Sequence, residues 1–349
     1  MLHRNAMKKE GFSPFATIGF AAAALLVLTF CVGAGSVPVP FMETLSIIKQ
    51  GVLGVPPQSP HAAIILSVRL PRVLCVAFTG AALALCGGVM QGLLRNPLAD
   101  GSTLGVSAGA GLGAVIAIAL NISIPLLSFA STMVMAIAGA MLSLTIILAL
   151  AFRLDRSFST HTIILIGIIF SMFVSGILSL IIAFSGEKLR TITYWTMGSL
   201  QGSTYRNAII LLAALLSFGT FMLLRARELN AFAVGEANAR SVGVNVRRVR
   251  LEMLVCASVL IGVSVSIGGT IAFVGLVTPH ILRLLTGPNH KKLLPASLFG
   301  GAIFLMIADL LARTVISPVE LPIGVVTSLI GAAVFALILL RGRKGDAHA

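Results

Sequence analysis

The sequence predicts an all-α polytopic membrane protein with about ten transmembrane helices and both termini in the cytoplasm. Of the 349 residues, 57% are hydrophobic and only 10% are charged, whereas a soluble domain carries about 25% charged residues. Apolar runs of about 20 residues recur along the chain, separated by polar or Pro/Gly-rich breaks. Lysines and arginines gather in alternate breaks. We therefore interpret residues 1–349 as a single transmembrane domain.

Ten apolar runs are candidates for the membrane-spanning helices. The second run contains Pro71, so its helix begins late or is kinked. The eighth is short and does not obviously cross the membrane alone. The expected limits, which together form a bundle over residues 15–341, are 15–36, 61–93, 103–121, 124–152, 161–184, 206–225, 249–268, 271–286, 293–312 and 321–341.

The distribution of positive charge gives the orientation. Ten crossings place both termini on one side, and 18 of the 25 lysines and arginines then fall on that side. The positive-inside rule makes this side cytoplasmic, with residues 1–14 as a cytoplasmic tail. The basic head and the long apolar run after it favour a retained first helix over a cleaved signal peptide, because the small-residue cleavage signature is weak.

The net charge of +14 does not indicate a nucleic-acid partner. The basic residues form short clusters between apolar runs, with no continuous stripe and no interleaved aromatic residues. Such clusters are typical of topology-setting charge and of attraction to anionic lipid in the bilayer. The four cysteines lie inside apolar runs without a zinc-binding or CxxC spacing, so we interpret them as small buried hydrophobic residues.

Two outward-facing arginines, Arg69 and Arg72, stand in "SVRLPRVLCVAFTG" near the N-terminal end of an inward-running helix. The helix macrodipole is unfavourable to cations at that end. Arg313 lies at the outer end of the ninth span, at the same level. The three side chains either extend to the lipid headgroups or bind an acidic partner.

Two breaks on the cytoplasmic side have distinctive sequences. In "LLRNPLADGSTLG" (93–105), Asn96-Pro97 stops a helix, Asp100-Gly101 turns the chain, and Ser102 or Thr103 can cap the next helix. This break is either a plain turn or part of a gate. The longest cytoplasmic loop, 226–248, holds "EANARSV" between two glycines, which predicts a short helix parallel to the membrane and a cytoplasmic partner.

Three features within the apolar runs favour packing over ligand binding. Gly105, Gly109 and Gly113 form a small-residue stripe that lets helices approach closely. His280 is expected to make a local hydrogen bond rather than bind a metal. Asp309 is expected to pair with backbone or a hydroxyl group rather than relay protons.

The sequence lacks the patterns of an enzyme. It has no HExxH sequence, no paired aspartates, no Ser-His-Asp set and no nucleotide-binding Walker sequence. We therefore expect no catalytic residue, no metal site and a role in transport.

Taken together, the motifs resemble one family. "RLPR", "GAALALCGGVMQGLLRNPLAD", "YWTMGSL", "GTIAFVGLVTPHILR", "HKKLLPASLFGGAIFLMIADLLAR" and "ELPIGVVTSLIGA" closely resemble the FecCD-type permeases, the membrane subunits of ABC importers for ferric siderophores, haem and cobalamin. The resemblance covers roughly residues 15–341. It implies a ten-helix subunit of the bacterial cytoplasmic (inner) membrane.

The resemblance also implies partners. These are a second permease copy or a paralogue, two ATP-binding subunits that hold the ATP and Mg, and a periplasmic or lipid-anchored substrate-binding protein. No cofactor is expected on this chain itself. A homodimer and a heterodimer both remain open.

The resemblance assigns site residues by position. Arg69, Arg72 and Arg313 would receive acidic groups of the binding protein. The loop that contacts the ATPase would comprise Gly235, Glu236, Ala237, Asn238, Ala239, Arg240 and Gly243, and the cytoplasmic gate would comprise Asn96, Pro97 and Leu98.

The chain departs from the family pattern at two positions, Gly101 and Ala333, where relatives usually carry proline. We expect Gly101 to loosen the turn and Ala333 to straighten the last helix. A ferric siderophore is the first candidate cargo, with haem and cobalamin as alternatives. An ion-coupled secondary transporter, for which only Asp309 is a candidate coupling group, is the alternative mechanism.

Overall fold

A computed structural model describes residues 13–35, 37–57, 59–124, 130–155 and 159–346. The described residues form helices and connections, with no strand among them. Most of the expected cytoplasmic tail, residues 1–12, lies outside the described residues. Seven helices are long and apolar enough to cross a membrane, and three shorter apolar helices complete the predicted ten.

The ten crossing helices follow the predicted order. We number all helices along the chain, and the crossing ones are α1 (Pro14–Gly33), α3 (Ile64–Leu93), α4 (Val106–Ala119), α5 (Ser131–Leu154), α6 (Thr160–Ala183), α8 (Tyr205–Leu224), α11 (Val246–Gly268), α12 (Val274–Thr286), α13 (His290–Thr314) and α14 (Ile323–Asp346). The observed limits mostly lie within a few residues of the predicted ones.

In the described part of the chain, four short α-helices lie between the crossing helices. They are α2 (Phe41–Val52) and α7 (Leu189–Thr196) on the outer side, and α9 (Ala226–Val234) and α10 (Glu236–Ser241) on the cytoplasmic side. The sequence analysis predicted α10 but not α2 or α7. Helix α2 is held to the start of α3 by Glu43, which binds Ser59 and His61, and these two hydrogen bonds lower the pKa of the Glu43 carboxyl.

Helix α3 starts without a sharp break at Pro71. Its first turn and a half, Ile64–Arg69, is a π-helix, and the α-helix continues from Leu70. Proline has no N–H, and its ring crowds the carbonyl four residues earlier. The wider π-turn accommodates that ring, so the predicted late start or kink is instead a local widening of one continuous helix.

Helix α3 is the centre of the bundle, and glycines let its neighbours approach its backbone. It packs most extensively on α13 and also on α12 and α11. A Cβ on Gly80 would lie 2.2 Å from the carbonyl oxygen of Gly301 on α13, and one on Gly87 would lie 1.8 Å from that of Gly275 on α12. Glycine is therefore required at both crossings.

The predicted glycine stripe also packs against a helix. On α4, a Cβ at Gly109 would lie 2.6 Å from the carbonyl oxygen of Gly139, and one at Gly113 would lie 2.1 Å from that of Met135, both on α5. Gly105 is not within the helix. It is the residue before α4, with φ +72°, a backbone conformation that glycine adopts without strain.

Candidate functional site

Five charged residues form an ion cluster at the outer end of the bundle. Asp309 on α13 is at its centre and accepts hydrogen bonds from Arg72 Nε at 3.1 Å, Arg72 Nη2 at 2.9 Å and Arg313 Nε at 2.9 Å. Arg72 Nη1 donates to Glu320 at 2.8 Å. Arg69 lies near Arg313 but binds backbone carbonyls instead of an acid. We include it in this outer ion cluster, which joins α3, α13 and the connection before α14.

Two arginines of the outer ion cluster bind the C-terminal end of α1. Arg69 donates to the carbonyls of Gly33 at 2.9 Å and Val37 at 2.7 Å. Arg313 donates to the carbonyl of Cys31 at 3.0 Å. The last carbonyls of a helix lack partners within it, and the macrodipole there favours cations. The N-terminal end of α3 is unfavourable to these cations, as expected, but the C-terminal end of α1 is favourable to them and offsets that effect.

The outer ion cluster is buried, apart from one member. The side chains of Arg72, Arg313 and Asp309 are 10%, 6% and 1% exposed, whereas that of Glu320 is 34% exposed. The expectation that the arginines extend to the headgroups is thus wrong for the described conformation. The expected pairing of Asp309 with backbone or a hydroxyl group is also wrong, because it pairs with two guanidinium groups.

The sequence predicted that the three arginines lie at one level. It did not predict that Asp309 and Glu320 are the acidic partners of Arg72 and Arg313. The i,i+4 spacing of Asp309 and Arg313 was a usable signal, because such residues share one face of a helix. Glu320 carried no local signal, since it lies in the connection between two helices.

The inner turn after α3 is folded around Asp100. Its carboxylate accepts hydrogen bonds from the backbone N–H groups of Ser102 at 3.0 Å and Thr103 at 2.9 Å. Asp100 therefore caps this turn. The expectation that Ser102 or Thr103 caps the next helix is wrong, because Gly105 stands at its N-cap without a side-chain hydrogen bond.

The three predicted gate residues lie at the tip of this turn. Asn96 Oδ1 accepts from the backbone N–H of Leu98 at 2.9 Å, and Pro97 and Leu98 are exposed. Behind the tip, a cavity of about 70 Å³ lies between this turn and the segment before α12, lined by Asp100, Ser107 and Thr270, among others.

Gly101 does not loosen the inner turn as expected. It is closely packed, and a Cβ there would lie 2.7 Å from the terminal methyl of Ile261. Helix α14 is continuous through Ala333, in agreement with the expected straightening.

The cytoplasmic loop forms two short helices with an exposed rim. Most of the predicted coupling residues lie on α10, where Ala237, Asn238 and Arg240 are exposed and Ala239 is buried. Gly235 and Gly243, on either side of α10, have φ +129° and φ +84°. Val234 and Val242 at its two ends are 72% and 71% exposed. We call the exposed residues of 234–243 the coupling surface.

Ion pairs fix this loop to α11. Glu236 at the start of α10 pairs with the buried Arg250. Arg225, before α9, pairs with Glu228 and Glu252, at 3.0 Å each. Arg250, one of the basic residues that we expected to meet anionic lipid, is buried and binds Glu236 instead.

A polar network connects the loop to the core of the bundle. Asn230 on α9 accepts hydrogen bonds from the backbone N–H of His290 at 2.8 Å and from its Nδ1 at 2.9 Å, and donates to Asn289 at 2.8 Å. His290 is buried, and a Cβ on Gly92 of α3 would lie 2.3 Å from its Nε2. Helix α9 is therefore hydrogen-bonded to the first turn of α13, which packs on α3.

Gln91, one residue before Gly92, extends this contact to α12. It donates to the carbonyl of Leu276 at 3.1 Å and accepts from Arg283 at 3.1 Å. The sequence analysis did not single out Asn230, His290 or Gln91. We call Gln91, Asn230, Arg283, Asn289 and His290 the inner polar network.

His280 does not show the expected local hydrogen bond. Its Nδ1 has no hydrogen-bond partner among the described residues, and its ring contacts Phe335 edge-on at 5.8 Å. It behaves as an aromatic packing group between α12 and α14.

A cleft of about 800 Å³ opens between α4 and α6. Its walls are apolar, with Leu120 and Leu180 among them, and Glu187 and Lys188 lie at its rim. Lys188 donates to the carbonyls of Ile118 and Ala119 at 3.1 and 2.9 Å and so holds the C-terminal end of α4. The cleft has the volume range of small-molecule sites.

Comparisons with known proteins agree with this architecture. The sequence model of the FecCD transport family matches residues 23–341. The chain is 41% identical to YvrB of Bacillus subtilis (strain 168), an uncharacterized ABC transporter permease, over 94% of each chain. It is 36% identical to the hemin transport system permease HmuU of Yersinia pestis, over 80% of this chain and 84% of that one.

Two further similarities concern another cargo and a solved structure. The cobalamin import system permease BtuC of Halobacterium salinarum is 37% identical over 96% of this chain and 91% of that one. A solved structure described as a metal-chelate type ABC transporter in an inward-facing conformation has a TM-score of 0.82 and 30% identity, covering 94% of this chain and 100% of that one.

Proposed function

Because this chain belongs to the FecCD transport family and is an ABC importer permease of the cytoplasmic membrane, we propose that its cargo is an iron chelate, with a ferric siderophore as the first candidate. The similarity to a metal-chelate type transporter over the whole of that chain is the observation that carries this proposal. The 36% identity to a hemin permease also supports an iron-containing cargo.

Haem and cobalamin are the alternative cargoes, because relatives at similar identity are named for each. Ion-coupled transport is not supported. Asp309 was the only candidate coupling group, and both of its carboxylate oxygens are already bound by guanidinium groups of Arg72 and Arg313.

The proposed assembly pairs this chain with a second permease copy or a paralogue and with two ATP-binding subunits. ATP and Mg would bind to those subunits, and no cofactor would bind to this chain. The coupling surface is where we place the ATPase contact, since exposed valines flank a short helix that ion pairs fix to α11. Exposed apolar groups on a rigid element are typical of protein contacts.

We also assign the inner turn to the cytoplasmic gate. Pro97 and Leu98 project from the tip, while Asp100 holds the base of the turn. The cavity behind the tip leaves space for the turn to move.

The outer ion cluster is the proposed docking site for a substrate-binding protein. It holds three buried arginines, and among the described residues Asp309 and Glu320 pair with two of them, Arg72 and Arg313. Positive charge is therefore in excess, and an acidic partner is favoured electrostatically. Charge reversal at Arg72 is a poor test of docking, because Arg72→Glu would place a carboxylate against Asp309 and disturb the fold.

Cargo and energy source are tested together by uptake into proteoliposomes. The complete transporter would be supplied with its binding protein and, separately, with an iron-55 siderophore complex, haem or cobalamin. Uptake of iron-55 that requires ATP inside the vesicles is the expected result. A matched complex whose ATP-binding subunits cannot hydrolyse ATP serves as the control.

Two results would contradict the proposal. Uptake of cobalamin alone would overturn the iron-chelate assignment and leave the importer mechanism intact. Uptake that continues without the ATP-binding subunits would overturn the mechanism.

A further inference from the structure

We propose that Glu320 pairs with Arg72 in place of an acidic group of the binding protein. When the binding protein docks, its carboxylate displaces Glu320 from Arg72. This inference rests on the proposed docking role of the outer ion cluster. It adds a regulated exchange of carboxylates at Arg72.

The guanidinium nitrogens of the three arginines are already engaged within the chain. Every guanidinium nitrogen of Arg72 and of Arg313 already donates to an acceptor within the chain. Both Nη atoms of Arg69 donate to backbone carbonyls. Asp309 holds Nε and Nη2 of Arg72, so an incoming carboxylate that binds Arg72 through both Nη atoms would compete with Glu320 for Nη1.

Of the two acids that bind Arg72, Glu320 is the one that can leave. Asp309 is 1% exposed and lies within α13, four residues from Arg313. Glu320 is 34% exposed and lies in the connection 315–322 between α13 and α14. Burial within a packed helix fixes Asp309, whereas a half-exposed carboxylate in a connection can move into water.

Exchange also avoids the free-energy cost of leaving a buried charge without a partner. If Glu320 left Arg72 and nothing replaced it, part of a buried cation would have no partner, which is unfavourable. Replacing it with a carboxylate from another protein keeps the number of carboxylates at Arg72 at two, so no buried charge is left unpaired. Docking would then proceed by exchange rather than by simple addition.

Release of Glu320 would also reach the start of α14. The connection that holds Glu320 leads directly into α14, where the backbone N–H of Ile323 donates to the carbonyl of Gly198 at 3.0 Å. A Cβ on Gly324 would lie 2.3 Å from the carbonyl of Met197. The first turn of α14 is thus in tight contact with the segment after α7, so release of Glu320 would alter this contact.

The test compares docking to three transporters in nanodiscs: the wild type, Glu320→Gln and the control Glu187→Gln. Glu187 is also an exposed acid on the outer side, and it lies outside the outer ion cluster. Binding of the substrate-binding protein would be measured by biolayer interferometry at several salt concentrations. We expect about three- to tenfold tighter docking for Glu320→Gln, because the competing charge is removed, and no change for Glu187→Gln.

A second measurement follows the connection itself. A spin label at Val319→Cys, a 62% exposed position, would be introduced with the partly exposed Cys256 replaced by serine. The label is expected to gain mobility when the binding protein docks on the wild type. In Glu320→Gln, it should be mobile before docking.

Each contrary outcome has a distinct meaning. Unchanged or weaker docking of a folded Glu320→Gln transporter would overturn the exchange while leaving the docking site in place. Absence of salt-sensitive docking to the wild type would overturn the proposed docking role, and the exchange with it. Thermal unfolding of the variant within a few degrees of the wild type confirms that it is folded.

Discussion

At the scale of single residues, Asp309 holds the outer end of the bundle together. It lies between two buried arginines, and those arginines reach Glu320 and the C-terminal end of α1. A buried carboxylate between two cations has a large effect when it is removed, since the cations remain in a low-dielectric environment without their counter-charge.

We therefore predict that Asp309→Asn destabilises the protein by about 3–5 kcal/mol, the typical cost of breaking a buried ion pair by removing one partner. The measurement is the apparent unfolding temperature in detergent, compared with Glu187→Gln as an exposed acid-to-amide control. Equal unfolding temperatures for the two variants would show that the outer ion cluster does not stabilise the fold.

The sequence predicted the level of the arginines but not their partners. Positive-inside counting placed Arg69, Arg72 and Arg313 on the outer side. Pairing with Asp309 depends on how α3 and α13 are rotated about their axes, and the apolar pattern of two nearly buried helices does not encode this rotation.

At the scale of helices, close glycine contacts determine how α3 meets its neighbours. Gly87 and Gly88 are adjacent on α3 but have different surroundings. A Cβ on Gly87 would lie 1.8 Å from a backbone oxygen of α12, whereas one on Gly88 would lie 3.1 Å from the terminal methyl of Leu294. A backbone atom in a packed helix cannot yield as a side-chain methyl can.

Gly87→Ala is therefore expected to lower stability by about 1–3 kcal/mol, the usual range for overpacking. Gly88→Ala is the matched control and should cost less. Folded yield and apparent unfolding temperature measure both variants. A similar loss in the two would contradict the close α3–α12 contact.

The inner polar network predicts a second effect at the scale of helices. Asn230→Ala removes three hydrogen bonds that connect α9 to the first turn of α13. We expect lower substrate uptake per ATP hydrolysed, because movement of α9 would no longer be transmitted to α13. Binding of the ATP-binding subunits should be retained.

Asn238→Ala is the control for this prediction. Asn238 is an exposed member of the coupling surface and lies outside the inner polar network. It should affect subunit binding more than the ratio of uptake to ATP hydrolysis. Normal coupling in Asn230→Ala would show that the network has a structural role alone.

The sequence predicted the ten crossings because apolar runs of membrane length are a strong signal. It missed α2 and α7, which are short and lie outside the long apolar runs. It also missed the π-turn at Ile64–Arg69, since Pro71 is equally compatible with a kink, a late start or a widened turn.

At the scale of the whole molecule, the orientation follows from the charge distribution and can be measured directly. Glu187→Cys is expected to react with a membrane-impermeant maleimide added outside intact cells. Ala237→Cys on the coupling surface should react only after the cells are opened. Both variants would carry Cys256→Ser, since the other three native cysteines are buried. The reverse labelling pattern would overturn the assignment of sides.

The family and the membrane location of the whole chain were predictable from the sequence, because several motifs occur in one order along it. The cargo was not predictable. Relatives named for hemin and for cobalamin match 80% and 96% of this chain at 36% and 37% identity, so the motifs report the architecture and not the cargo.

The attachment of α1 has a consequence for biosynthesis. Its final carbonyls are bound by Arg69, which stands 36 and 37 positions later in the sequence, and by Arg313, which follows Cys31 by 282 positions. Helix α1 is therefore synthesised long before Arg313, its last partner. A nascent chain released before α13 would have Arg72 without Asp309 and the end of α1 without Arg313.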